Sequence, residues 1–261
     1  MNNPIPLDLK HIDPADLIPM DLFLGREALQ VDVMYAGPTS FCGIVYKPAA
    51  RLSLHRDMAE VILAASRLIR DRIGGSLDLY DGLRTTTAQA MICDTPIVKA
   101  HPHWTEEGPL RMFAPPGKGG HPRGMAIDLS VRDAAGALLD MGTIVDALPA
   151  GGADRETNPA HRDYNHLTDA VRKNRDILTA ALADAAALFG RPLRPLPSEW
   201  WDYRFPDEVY MRYHPLADED VPPSLRLTDK IADDAGHPEF PRGHYEALAE
   251  LTVQAVSRYI R

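Results

Sequence analysis

The stretch Gly119-Gly120-His121-Pro122-Arg123-Gly124-Met125-Ala126-Ile127-Asp128-Leu129-Ser130 constrains the chain more than any other. From Met125 to Val131 the residues alternate: Met125, Ile127, Leu129 and Val131 form an apolar row, and Ala126, Asp128 and Ser130 a small or polar one. That period predicts a half-buried strand with Asp128 on its open face. His121 lies seven residues upstream in a Gly/Pro-rich loop. An imidazole from the loop and a carboxylate from the strand can converge on one divalent cation, being donors that Zn²⁺ accepts. The plain alternative is an exposed Asp on a strand and a solvated loop His.

The chain has 261 residues, 45% hydrophobic and 25% charged, enough to bury a sizeable core. A formal charge of -9 with no Lys/Arg cluster argues against nucleic acid as a partner. Cys42 and Cys93 are too few for a disulfide framework and lack CxxC spacing, which fits a reducing compartment. Met1 to Asp21 holds four prolines and several charges, without the basic start and apolar run of a signal peptide. No apolar run has membrane-spanning length, so the expectation is a cytoplasmic protein with no membrane partner.

Residues 1 to 30 read as an irregular, Pro-rich lead-in. Short strands are expected at Val31 to Tyr35 and Ile44 to Tyr46, either side of the Gly37-Pro38 turn. Met58, Val61, Ile62, Ala65, Leu68, Ile69 and Ile73 recur at helical spacing and predict a helix over 55–73, ended by Gly74-Gly75. A strand from Leu77 to Tyr80 then delivers Asp81-Gly82-Leu83-Arg84, and 85–93 begins another helix. Residues 94–120 read as a long polar loop. Pro149 to Asp163 is irregular. A second long helix is expected over 166–189, with Leu167, Val171, Leu178, Leu182, Ala185 and Phe189 on one face and Gly190 at its end. Ser198 to Phe205, between Pro197 and Pro206, suits a strand. Simple pleating puts Glu199 and Asp202 on opposite faces, unless a bulge or twist brings them together. Residues 213–241 read as loop, and 242–260 as an amphipathic helix through Tyr245, Leu248, Leu251, Ala255 and Tyr259.

Four pieces stand out together: Asp81 to Arg84, His121 to Asp128, Asp140-Met141-Gly142-Thr143 through Asp146, and Glu199-Trp200-Trp201-Asp202. In this order and spacing, over roughly residues 30 to 205, they resemble the zinc D-alanyl-D-alanine dipeptidases, the family that includes the vancomycin-resistance dipeptidase. Tyr35-Ala36, Phe41-Cys42-Gly43 and Asn174-Arg175 also fall where that family has similar residues.

The resemblance implies a compact α+β fold, an antiparallel sheet packed on helices with a metal cleft on the sheet; the catalytic domain is expected over 1–212, and residues 213–261, beyond the resemblance, are expected as a C-terminal helical extension packing on it. It also implies one Zn²⁺ per chain held by His121 and Asp128, with Glu199 as general base and Arg84 stabilising the developing oxyanion. Asp146 and Tyr35 match positions that hold the substrate's ammonium end, and Asp81, grouped with them on the substrate side, orients its neighbours. The substrate it implies is D-Ala-D-Ala or a related small D-amino-acid dipeptide. A cation polarises the scissile carbonyl and acidifies water, and Glu199 then carries the proton from the water to the leaving amine.

The chain departs from the family where the third ligand is a histidine, because it has Asp202, and Gly119 and Gly120 stand where serines are common. A His-Asp-Asp set places two negative charges on the cation and should acidify bound water less, with a preference shifted towards Mn²⁺ or Fe²⁺. Asp202 is one candidate third ligand; His161, His166 or His214 is another source of the missing nitrogen; a weakened site in a non-catalytic binding module is the third outcome. A metallo-amidase on another small amide remains an alternative. Arg84 could merely pair with Asp81 on the surface, Asp146 could be a turn residue, and Trp200 and Trp201 read as core and cleft wall. The C-terminal helix covers the core or forms a homodimer contact.

Overall fold

Two amphipathic helices and the alternating strand build the core. The computed structural model describes residues 8–38, 40–108, 111–148, 154–232 and 234–260. The first seven positions of the lead-in and positions 149–153 of the irregular stretch lie outside them. Among the described residues seven strands are formed: β1 (Leu17–Pro19), β2 (Leu29–Val31), β3 (Ser53–His55), β4 (Ser76–Asp81), β5 (Ala126–Arg132), β6 (Arg194–Pro195) and β7 (Asp202–Arg204). The helices are α1 (Arg56–Ile73), α2 (Thr86–Cys93), α3 (Pro96–Lys99), α4 (Asp169–Leu188), α5 (Asp207–Tyr210) and α6 (His244–Val256).

The main sheet has the order β2-β4-β5-β7-β6, and β1 pairs with β3 in a separate two-stranded sheet. Every pair in the main sheet is antiparallel except β2 with β4. A parallel pair needs a long crossover, and the chain from β2 to β4 supplies one that includes α1. The fold is thus α+β as expected, with one parallel pair at the sheet edge.

Helix α1 starts where His55 Nδ1 accepts the Asp57 amide at 3.2 Å, and α4 where Thr168 Oγ1 accepts the Val171 amide at 3.2 Å. Their apolar stripes, Met58, Val61, Ile62, Ala65 and Ile69 on α1 and Leu178, Leu182 and Ala185 on α4, join Leu77, Leu79, Ile127, Leu129 and Val131 of the sheet in one cluster. Truncating one such residue, Ile62→Ala for example, typically costs about 2–5 kcal/mol. The lead-in adds Leu17, Ile18, Met20 and Phe23 to this core. The strand expected to be half-buried is covered on both faces: Asp128 and Ser130 are as buried as their apolar neighbours.

Local corrections follow from loops closing on themselves. Tyr35 lies in a 3₁₀ turn, Met34–Ala36, and Ile44 to Tyr46 forms no strand, because the Val45 and Tyr46 amides both donate to the Tyr35 carbonyl at 2.9 Å. The polar stretch 94–120 contains α3 and a turn at Pro102–Trp104. On α6 the buried face is Tyr245, Leu248, Ala249, Thr252 and Val256, while Leu251 and Tyr259 are exposed. Helix α6 packs on α1, and Arg67 of α1 ties down the chain beyond it by donating to Ser257 Oγ at 3.0 Å and the Ile260 carbonyl at 2.7 Å. No helix among the described residues is long and apolar enough to cross a membrane.

Candidate active site

The register of three neighbouring strands sets an acidic row across the sheet: Asp81 on β4 faces Asp128 on β5, and Asp128 faces Asp202 on β7. Pleating alone would put Asp81 on the core face with Leu77 and Leu79. A shift in the ladder between Leu79 and Asp81 leaves Tyr80 unpaired and turns Asp81 onto the face of Asp128.

His121 reaches this row from a buried turn, His121–Arg123, that Gly124 closes at φ 62°. A Cβ on Gly124 would lie 2.7 Å from the His55 amide, so both the positive φ and the close approach require glycine. His121 Nδ1 lies 2.8 Å from the Gly82 carbonyl, which can only accept, so the Nδ1 hydrogen is committed there. Nε2 is left facing Asp128 Oδ2 at 3.6 Å and Asp202 Oδ2 at 3.4 Å.

Strand β7 begins later than expected. Residues 199–202 form a turn in which the Asp202 amide donates to the Glu199 carbonyl at 3.4 Å, so Glu199 and Asp202 line the same cavity and are not opposed by pleating. Trp200 and Trp201 are buried, and Trp200 Nε1 donates to Thr143 Oγ1 at 2.7 Å.

Arg84 does pair with Asp81, its Nε donating at 2.7 Å, but the pair is buried and the arginine lines the cavity. Its other nitrogens donate to Gln89 Oε1 at 3.2 Å and Asp128 Oδ2 at 3.4 Å, and its guanidinium lies 5.1 Å from the Tyr35 ring centre. Asp81 stands behind it, its other oxygen accepting from Tyr46 at 3.0 Å, and does not line the cavity. Tyr35 donates to Asp146 Oδ2 at 2.6 Å. Asp146 is the single non-glycine residue with positive φ, 57°, among the described residues, a conformation Asp tolerates better than most. Asn174 and Arg175 secure the segment leading to it from α4, Asn174 through the Asp140 carbonyl and Arg175 through those of Met141, Pro159 and His161.

The cavity, about 210 Å³, holds Tyr35, Arg84, His121, Asp128, Asp146, Glu199 and Asp202 on its wall. It is smaller than the ~300–1,000 Å³ of drug-sized sites and so suits a small ligand. Burial, then the charge of Asp202, pushes Glu199 well above the usual carboxylate range, and burial with Asp128 nearby pushes Asp146 up to about 7. Burial opposes a charge on His121, but the Asp128 carboxylate outweighs it and raises the imidazole to about 10.

These donors fit a divalent cation. Asp81, His121 and Asp128 offer atoms all within 4.8 Å of one another, as do Asp128, Glu199 and Asp202. Asp128 Oδ1 is buried without a hydrogen-bond partner among the described residues, an arrangement that costs about 1–3 kcal/mol unless a donor or a cation meets it. His161, His166 and His214 are not on the cavity wall; His161 Nδ1 accepts the Asp163 amide and His214 stacks on His11. Arg204, which the motifs do not single out, lines the cavity and grips Asp202 through two hydrogen bonds. The Asp-x-Arg spacing is the signal for it, since alternate residues of a strand share a face.

Groups of this kind serve metal-assisted hydrolysis, and among the hydrolases the chain's relatives are those of the peptide bond. Residues 17–219 match the D-Ala-D-Ala dipeptidase family of M15 peptidases, and the chain belongs to that family. D-alanyl-D-alanine dipeptidase from Escherichia coli K12 is 30% identical to it over 207 residues, which cover 79% of this chain and 92% of that protein. The resemblance carried by the four motifs is borne out, and the match extends beyond residues 30 to 205 at both ends.

Proposed function

We propose that the protein is a metal-dependent dipeptidase that cleaves D-Ala-D-Ala or a related small D-amino-acid dipeptide. The observation that carries this reading is the His121 Nε2 position, with Nδ1 committed to the Gly82 carbonyl and the Asp128 and Asp202 carboxylates within 3.6 and 3.4 Å. His121, Asp128 and Asp202 would hold the cation. When bound, a divalent cation supplies the charge that polarises a scissile carbonyl and acidifies an attacking water.

Glu199, half-buried on the cavity wall, is placed to take a proton from an attacking water and would return it to the leaving amine. Arg84 is held from behind by Asp81 and Gln89, so its charge is already aimed at the cavity before an oxyanion develops. Asp146, steadied by the Tyr35 hydroxyl, receives the substrate's ammonium group, which restores favourable surroundings to a buried carboxylate. No side chain needs to be acylated. Residues 213–261 extend this catalytic unit, with α6 packed on α1.

Purified protein loaded in turn with Zn²⁺, Mn²⁺ and Fe²⁺ is to be incubated with D,D-, L,D- and L,L-dipeptides, with release of the C-terminal amino acid measured. Cleavage of D,D-dipeptides by wild type and its loss in Glu199→Gln is the expected result. An intact panel with every metal would overturn the reading, and cleavage of non-peptide amides alone would replace it with a metallo-amidase.

A further inference from the structure

We infer that Arg204 is a positioning residue of the metal centre, which fixes the Asp202 carboxylate and cancels its charge so that two carboxylate donors present a cation with the net charge of one. The inference rests on the metal-site reading above.

Among the described residues both side-chain hydrogen bonds of Arg204 go to Asp202: Nε donates to Oδ1 at 2.7 Å and Nη2 to Oδ2. The fork locks the carboxylate plane, as bidentate arginine pairs do. Neither partner has ready access to water, with side-chain exposures of 16% for Arg204 and 2% for Asp202. A carboxylate has about four lone-pair positions, and the fork uses two of them. Asp202 Oδ2, still 3.4 Å from His121 Nε2, therefore keeps electron density for the centre.

Two arginines of the cavity wall, Arg84 and Arg204, are each matched by a carboxylate. Arg84 is matched by Asp81 at 2.7 Å. Without Arg204, Asp128, Glu199 and Asp202 would crowd three carboxylates within 4.8 Å of one another. With it, Asp202 contributes a donor atom but little net charge, Asp128 carries the charge that a dication meets, and Glu199 is left for the proton.

The consequence is a dependence of one residue on the other. Histidine is a good zinc ligand, yet Asp202→His would strand a buried guanidinium beside a dication, and a low-dielectric site amplifies that repulsion. Removing the guanidinium as well should relieve it.

The test is the Zn²⁺ dissociation constant, measured by competition with a chromophoric chelator, for wild type, Asp202→His and Asp202→His/Arg204→Gln, with folding of each metal-free protein checked by circular dichroism and thermal unfolding. Expected is binding about tenfold or more weaker in Asp202→His, and recovery by the double variant, a non-additivity of the kind contacting residues give. Asp202→His binding as tightly as wild type, or a double variant no better than the single one, would overturn the inference while leaving the metal site intact. Wild type that binds none of Zn²⁺, Mn²⁺ or Fe²⁺ would overturn the metal reading itself, and this inference with it. Should Asp202→His not fold, Asp202→Asn takes its place, and the same rescue by Arg204→Gln is expected.

Discussion

Asp81 and Asp128 lie opposite each other on the cleft face of β4 and β5 only because Tyr80 drops out of the ladder between them. One unpaired residue thereby moves a carboxylate from the core side to a place where it holds Arg84 at 2.7 Å and lies 3.6 Å from His121 Nδ1. Most of the site's chemistry depends on such placements, and the following outcomes test them.

Glu199→Gln keeps the shape of the turn at 199–202 and removes the proton acceptor. kcat is expected to fall by about 10²-fold or more, the usual contribution of a positioned general base. Metal content by elemental analysis and the melting temperature should stay at wild-type values, which separates lost chemistry from lost structure.

Arg84→Lys preserves charge but not the fork that reaches Asp81, Gln89 and Asp128 at once. A loss of about 10² in kcat/KM is expected, comparable to removing one oxyanion donor. The loss should fall mainly on kcat in steady-state kinetics, because the interaction develops with the transition state.

Asp146→Asn tolerates the left-handed backbone and loses only the charge facing an ammonium. KM for dipeptides with a free amino group should rise about tenfold to a hundredfold, the value of a hydrogen bond to a charged group. N-acetylated dipeptides, measured alongside, should show no such change.

Metal-free protein should be pH-sensitive in a defined window. Burial opposes the His121 charge, but Asp128 outweighs it and raises the imidazole from 6.5 to about 10. A raised folded-state value stabilises the fold fully below the unfolded value and loses that contribution as pH climbs through the folded one. The melting temperature of metal-free protein is therefore expected to decline between about 6.5 and about 10. Saturating Zn²⁺ should flatten this decline, and its apparent affinity should weaken as pH falls, since proton and cation compete for the same Nε2.

Local periodicity governs part of this protein, and that part is legible in the chain alone. Helices α1 and α4 lie within three residues of the spans expected at 55–73 and 166–189, because a 3.6-residue stripe with a cap at its start is written within the segment. The residue types of the site were equally legible: His121, Asp128, Glu199 and Arg84 all line the cavity. Which of these residues meet depends on the folded sheet. Tyr80 leaving the ladder, β2 running parallel to β4, and the turn that sets Glu199 beside Asp202 all depend on pairing between segments far apart in the chain. Asp202 and Arg204 stand two residues apart, and the sequence could offer that spacing, but the sheet that buries Asp202 and shields most of the Arg204 side chain made it a clamp. Away from water two opposite charges have no better partners than each other, and only packing removes the water.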